Sequence, residues 1–181
     1  MTETATPGPR FEARLRAIED RLEILNLIAG HPPGADSASG EYAASYWVEG
    51  GSFDRGEGLR GSTSHAEMIA NLAAPGFQAA VAQGITHFAG LPYIEIDGDR
   101  AIVTSYLQVL MPDPAGEPVE LSAHGTSKGF RIHRLSANRW DLVRTPAGWR
   151  IERRVLRSMD TAEARTILRG VAERQPAKGS I

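Results

Sequence analysis

Gly84-Ile85-Thr86-His87-Phe88-Ala89-Gly90-Leu91-Pro92-Tyr93-Ile94-Glu95-Ile96-Asp97-Gly98-Asp99-Arg100-Ala101-Ile102-Val103 carries apolar, β-branched runs on either side of Asp97-Gly98-Asp99. An Asp-Gly step between such runs is the strongest short-range signal for a tight β-hairpin, because the turn needs residues that accept positive φ. One strand of the expected hairpin carries His87. Histidine titrates closest to neutral pH, so an imidazole projecting from a strand into a cavity can act as a general base. The structural alternative is a hydrogen-bonded packing residue among apolar neighbours.

Downstream the sequence stays β-like. Ala101 to Met111 completes the second strand, and Pro112-Asp113-Pro114-Ala115-Gly116-Glu117-Pro118 interrupts it, since proline donates no ladder hydrogen bond. Strand-forming sequence resumes near Val119, breaks between Gly125 and Gly129, and continues to Leu135. A bulge or kink is expected at Ser136-Ala137-Asn138, before Trp140 to Arg144. Thr145-Pro146-Ala147-Gly148 then turns the chain into Trp149-Arg150-Ile151-Glu152-Arg153-Arg154-Val155-Leu156. Alternation predicts Trp149, Ile151 and Val155 on a buried face, with Arg150, Glu152 and Arg154 on the other. Asp160-Thr161-Ala162-Glu163 resembles a capping box, opening a terminal helix to about Ala172.

Upstream the pattern is helical. Phe11, Leu15, Ile18, Leu22 and Leu25 step by alternating fours and threes, which predicts a helix from Arg10 to Ala29 that buries this stripe, widened by Ile24 and Ile28. Gly30-His31-Pro32-Pro33-Gly34 is expected to end it, leaving Asp36 in a loop. Glu41 to Val48 reads as a short aromatic-rich helix and Gly51 to Asp54 as a strand. Ser64-His65-Ala66-Glu67 is a capping box opening a third helix to Leu72 or Ala73. Pro75-Gly76 ends that helix, and Phe77 to Gln83 fits a helical turn or a loop.

A chain of 181 residues with 41% hydrophobic content can bury a core of its own, and it contains no cysteine. Disulfides, thiolate metal sites and cysteine nucleophiles are therefore excluded. A net charge of −2 gives no electrostatic case for nucleic acid or an anionic membrane. The first residues lack the features of a signal peptide, and no apolar run is long enough to span a bilayer. The expectation is a cytoplasmic protein: a disordered leader at 1–9, one domain at 10–172 and a flexible tail at 173–181. His65, His124 and His133 lack the spacing of metal ligands, and no Gly-rich stretch has the strand-to-helix context of a phosphate loop, so neither metal nor cofactor is expected.

Early helices followed by long hairpin-joined strands argue for an α+β fold. The element order, together with Asp36-x-x-x-Gly40, Ser45-Tyr46-Trp47-Val48-Glu49-Gly50-Gly51-Ser52-Phe53, Thr86-His87-Phe88, Ile94 to Ala101 and Val143-Arg144-Thr145-Pro146-Ala147-Gly148-Trp149-Arg150-Ile151, resembles the SnoaL-like branch of the nuclear transport factor 2-like superfamily. The resemblance covers about Ala17 to Leu156. It implies a cone-shaped, curved antiparallel sheet with helices over its concave face, the cystatin-like shape, and an apolar pocket at one end. Scytalone dehydratase, hexachlorocyclohexane dehydrochlorinase and a bile-acid dehydratase belong to this branch.

In those relatives the acid–base pair is an Asp after helix one and a His on a sheet strand, positions that fall on Asp36 and His87. A carboxylate on one ring nitrogen fixes the tautomer and stabilises the imidazolium formed on proton abstraction. His31, where relatives carry a Tyr or Lys, is either a second acid–base group or a helix-terminal His on backbone carbonyls. Arg144 matches a pocket-rim Arg of dehydrochlorinase-like members, with a solvated ion pair as its alternative. Tyr46, Trp47, Phe53, Tyr106 and Trp140 are candidate pocket residues or plain core. The resemblance implies a cofactor-independent lyase, isomerase or cyclase acting on a small, largely apolar molecule, up to a polycyclic one, in a homo-oligomer (dimer or trimer). The competing class is a non-catalytic ligand-binding or scaffold member, such as a protein resembling dioxygenase small subunits.

Overall fold

Asp97-Gly98-Asp99 forms the turn that the sequence predicts. In the computed structural model, which describes residues 8–174, strands β3 (Tyr93–Asp97) and β4 (Arg100–Pro112) pair antiparallel from Asp97 opposite Arg100 to Tyr93 opposite Thr104. Gly98 takes φ +57°, which costs a residue without Cβ nothing. His87, however, is not on the hairpin. It lies on a separate strand, β2 (Thr86–Ala89), which pairs with the other half of β4 from Thr86 opposite Leu110 to Ala89 opposite Leu107. Gly90-Leu91-Pro92 divides the edge between β2 and β3, as a proline without a ladder donor allows.

The curved sheet continues from β4 to β7 (Phe130–Thr145), β8 (Gly148–Ser158) and β1 (Trp47–Asp54), in the order β1-β8-β7-β4. Among the described residues, only β1 and β8 run parallel. Between β4 and β7, β5 (Val119–Leu121) and β6 (Gly125–Ser127) form a hairpin of their own. Strand β7 passes through Ser136-Ala137-Asn138 in regular pairing, where a bulge is expected from the sequence. The irregularities lie elsewhere: towards β4, Val109 pairs with Arg134 and Leu110 with Ile132, leaving His133 as an extra residue, and towards β8, Leu142 pairs with Ile151 and Asp141 with Arg153, leaving Glu152 as one.

That bulge corrects the expected faces of β8. Trp149 and Ile151 are buried as predicted, but past Glu152 the buried residues are Arg154 and Leu156, while Val155 is only half-buried. One inserted residue exchanges the two faces of everything that follows it.

Helix α1 (Pro9–Asp36) continues past its predicted stop. Pro32 and Pro33 lie inside it and withhold the N–H groups that the carbonyls of Ile28 and Ala29 would otherwise receive. Gly30 and Gly34 serve close approach rather than a break: a Cβ at 30 would lie 2.5 Å from the Tyr46 hydroxyl oxygen, and one at 34 would lie 3.0 Å from the Tyr42 ring. Tyr46 Oη in turn donates to Tyr42 Oη at 2.5 Å, fixing helix α2 (Gly40–Ser45) against α1.

The face that α1 buries is also a correction. Asp20, Ile24, Leu27 and Ile28 face the sheet, whereas Phe11 is 58% and Leu22 55% exposed, with Leu15, Ile18 and Leu25 exposed beside them. Both stripes have helical spacing, and sheet packing selects the one carrying Asp20 because its carboxylate finds partners on the strands. Trp47 belongs to β1 rather than to the preceding helix.

Helix α3 (His65–Ala73) opens on Ser64, whose Oγ accepts from Glu67 N–H at 3.2 Å, while the Glu67 carboxylate reaches Thr63 rather than closing on Ser64. Helices α4 (Pro75–Ala82) and α5 (Ala162–Arg174) complete the chain. The core is one cluster of Ile24, Leu27, Ile28, Trp47, Met68, Val103, Trp140, Leu142, Trp149 and Ile151. No helix among the described residues is long and apolar enough to cross a membrane. The expected leader at 1–9 and tail at 173–181 fall mostly outside the described residues.

Candidate active site

Because α1 runs on through its prolines, Asp36 stands at the last position of a helix rather than in a loop, close to β2. Its carboxylate grips His87 twice. Oδ2 accepts the main-chain N–H of His87 at 2.9 Å, and Oδ1 accepts from ring Nδ1 at 2.5 Å. A carboxylate only accepts, so the ring proton sits on Nδ1 and Nε2 is the nitrogen left to a bound molecule. Burial lowers the His87 pKa most; the Asp36 hydrogen bond and charge oppose that, and Arg154 and Arg55 reinforce it. The net shift is downward, so the imidazole is neutral near pH 7 and able to take a proton.

His87 lines a cavity of about 100 Å³ between the helices and the sheet. Its wall is mostly apolar (Trp47, Phe53, Met68, Leu107 and Val109 among others), with His31, Arg55, Arg134 and Arg154 as its strongly polar members. His31 faces the cavity from inside α1 and packs edge-on against Trp140, ring centroids 5.2 Å apart. Its Nε2 meets Arg154 Nη1. A guanidinium can only donate, so His31 accepts on Nε2 and carries its own proton on Nδ1. Burial, followed by the charges of Arg154, His87 and Arg55, pushes the His31 pKa well below its ordinary value.

Of the residues singled out in the sequence, Asp36, His87 and His31 come together, and Trp47 and Phe53 line the same cavity. Trp140 lies just behind it, its ring 3.9 Å from the Arg154 guanidinium carbon. Tyr46 packs on the core and bonds Tyr42. Tyr106 does not reach the pocket: Leu107 and Val109 take the inward positions of β4, so Tyr106 points out and is exposed.

Arg144 is a correction as well. It binds Asp20 through Nη1 at 2.6 Å and Nη2 at 2.7 Å, bonds Asp99 at 2.9 Å, and lies 4.5 Å from the Trp149 ring, so it ties α1 to the hairpin end of the sheet. The cavity's fully buried arginine is Arg154, which spacing alone cannot reveal because the bulge at Glu152 turns it inward. Arg55 and Arg134 carry no motif either.

Residues 16–155 match the family model described as a SnoaL-like domain. The chain belongs to the SnoaL-like family. This SnoaL-like chain is 34% identical to an NTF2-like protein with a cystatin-like fold from Novosphingobium aromaticivorans, covering 91% of this chain and 99% of that one with a TM-score of 0.78. A protein of unknown function from Mycobacterium tuberculosis is 19% identical, with a TM-score of 0.62 over 93% of this chain and 94% of its own. A structure described as "Putative Scytalone Dehydratase", also from Novosphingobium aromaticivorans, is 16% identical, with a TM-score of 0.60 over 82% of this chain and 88% of that one. The last two likenesses concern the fold alone. No curated protein matches the sequence. The SnoaL-like domain is thus an α+β fold of the nuclear transport factor 2-like superfamily.

Proposed function

We propose that this SnoaL-like chain is a cofactor-independent acid–base enzyme, a lyase, isomerase or cyclase, that removes a proton from a small, largely apolar ring compound. The observation that carries the reading is the Asp36–His87 pair: a cavity-lining imidazole whose Nδ1 is held at 2.5 Å by a carboxylate. Nε2 takes a proton from carbon next to a carbonyl or leaving group. The C–H electron pair then forms an enolate or a new C=C bond, and any leaving group departs with its own pair. Asp36 stabilises the imidazolium so formed, which returns the proton to another carbon or to the departing oxygen. His31 acts as a positioning residue: as a neutral acceptor it holds Arg154, and it has no acidic proton on the nitrogen facing that arginine.

Hydrogen–deuterium exchange tests the reading without knowledge of the natural substrate. Small cyclic ketones are incubated with the protein in D2O, and loss of the α-proton signals is followed by NMR. The parent is expected to exchange at least one of them faster than buffer, and His87→Gln should abolish that enhancement. Asp36→Asn should reduce it by about 10²-fold or more, the usual reach of an oriented general base. Exchange by the parent that is no faster than by His87→Gln would reject the base and favour a non-catalytic pocket protein.

A further inference from the structure

The cavity holds more positive charge than acid–base chemistry on a neutral ring requires. Arg154 is 1% exposed and lies between the Phe53 and Trp140 rings, 4.4 Å and 3.9 Å from its guanidinium carbon. Its Nε donates to Asn138 Oδ1 at 2.9 Å and Nη1 meets His31, but Nη2 is buried without any partner. Arg55 Nε is likewise buried and unpartnered, and Arg55 and Arg134 line the same cavity. None of the ion pairs among the described residues includes Arg55, Arg134 or Arg154. A guanidinium does not give up its proton, so a buried one without a carboxylate is a costly arrangement unless something else supplies the anion. Asp36 cannot, since His87 occupies it.

We propose that Arg154, with Arg55 and Arg134, forms an anion subsite opposite His87, and that the molecule turned over carries a carboxylate on a single ring. The inference rests on the proposed acid–base reading for what happens to the ring, and on the orphaned guanidinium N–H groups for the charge. A volume near 100 Å³, below the roughly 150 Å³ of a cavity that holds benzene, leaves room for no more than one ring. The carboxylate would receive Nη2 of Arg154 and Nε of Arg55, pinning one end of the molecule while its α-carbon stays near Nε2 of His87. Planar N–H pairs suit a carboxylate in both geometry and charge.

Calorimetric titration with benzoate and with its neutral isostere benzamide, in chloride-free buffer, tests this. Benzoate should bind at least about tenfold more tightly than benzamide, as one charge-assisted hydrogen bond gives. Arg154→Met should erase the preference while circular dichroism shows the fold retained; it removes the uncompensated charge but also the donors to Asn138 Oδ1 and His31 Nε2, so the melting temperature is read alongside. Arg55→Gln should weaken it, and Arg154→Lys should restore part of it. Equal affinities in the parent, no benzoate binding at about 10 mM, or a preference that survives both Arg154→Met and Arg55→Gln would overturn the subsite. The two readings fail separately: His87→Gln should keep the benzoate preference while losing deuterium exchange.

An independent observation concerns the stripe on α1 that the fold leaves uncovered. Phe11, Leu15, Ile18, Leu22 and Leu25 are all exposed and keep a strict 3.5-residue period, which is the seam of a coiled coil. Glu12 and Glu19 flank the seam on one side, Arg14 and Arg21 on the other. In a parallel pair, Arg14 faces Glu19 of the second copy, twice by symmetry. An antiparallel pair would instead set arginine on arginine and glutamate on glutamate. The geometry points to a second copy of this chain, docked α1 to α1 in parallel about a two-fold axis.

The absence of cysteine makes a clean test. A Leu25→Cys variant should form a disulfide-linked dimer on mild oxidation, since only the parallel pairing sets position 25 against itself. Leu22→Asp should give a monomeric mass by light scattering with the parent's circular dichroism retained, the site being solvent-exposed within one chain, and a melting temperature that no longer rises with protein concentration. A monomeric parent, a dimer that Leu25→Cys does not cross-link, or one that Leu22→Asp leaves intact would overturn this surface.

Discussion

Replacing Arg144 with Ala separates the structural arginine from the cavity arginine. The change removes two hydrogen bonds to Asp20, at 2.6 and 2.7 Å, one to Asp99 at 2.9 Å, and the stack on Trp149. Asp20, 7% exposed, keeps only Trp149 Nε1 at 3.1 Å. Leaving one member of a fully buried pair alone costs about 3–5 kcal/mol. The Arg144 side chain is 29% exposed, however, and water can reach the vacated space, which brings the expected loss to about 2 kcal/mol. The Asp99 arm adds little, because that carboxylate is 79% exposed. For a chain of this length the loss corresponds to a drop of about 4–8 °C in melting temperature. Urea and thermal unfolding measure it, with benzoate titration run alongside and expected to be unchanged. A loss below about 0.5 kcal/mol, or weakened ligand binding with stability intact, would return Arg144 to the pocket and refute the assignment.

Stability should fall as pH drops below about 6.5. His31 and His87 both have folded pKa values beneath the ordinary one, mainly through burial, so the unfolded chain binds more protons there. Their contribution is present above the unfolded value and is lost as pH falls through the folded values; His31→Gln should flatten this slope in melting temperature against pH. Asp20, held low chiefly by its hydrogen bond from Arg144, gives a further loss at more acid pH, below about 3.9. In deuterium exchange, the Asp36→Asn, His87→Gln double variant should be little worse than His87→Gln alone, because two groups acting as a unit do not add; additive losses would argue against the pair. Phe53→Ala should cost about 3 kcal/mol, the low end for such a truncation because the side chain is only half-buried, by enlarging the cavity beside Trp47, and it should weaken benzoate binding by calorimetry.

Local signals in the sequence marked most of the elements. Asp97-Gly98, the Ser64 cap and the alternation at Trp149 and Ile151 each depend on neighbours a few residues away, and each holds in the fold. That Asp36 meets His87 was legible through the family resemblance, which marks both positions. Three features were not, for reasons of tertiary structure. Helix α1 offers two apolar stripes, and the choice between them depends on Asp20 meeting Arg144 and Trp149 from strands over a hundred residues away. Its run through Pro32 and Pro33 depends on Tyr42 and Tyr46 packing over Gly30 and Gly34. Arg154 turns inward because of one unpaired residue, Glu152, which no period-of-two pattern reveals. The same bulge that defeats the pattern supplies the cavity's buried cation.

The state of the His87 ring tests the central claim most directly. Imidazole ¹⁵N shifts measured near neutral pH, assigned by comparison with His87→Gln, distinguish the two tautomers from the cation. The account predicts a neutral ring protonated on Nδ1 with a bare Nε2, and a loss of that single tautomer in Asp36→Asn. A ring protonated on Nε2, an imidazolium near neutral pH, or a tautomer indifferent to Asp36→Asn would contradict it.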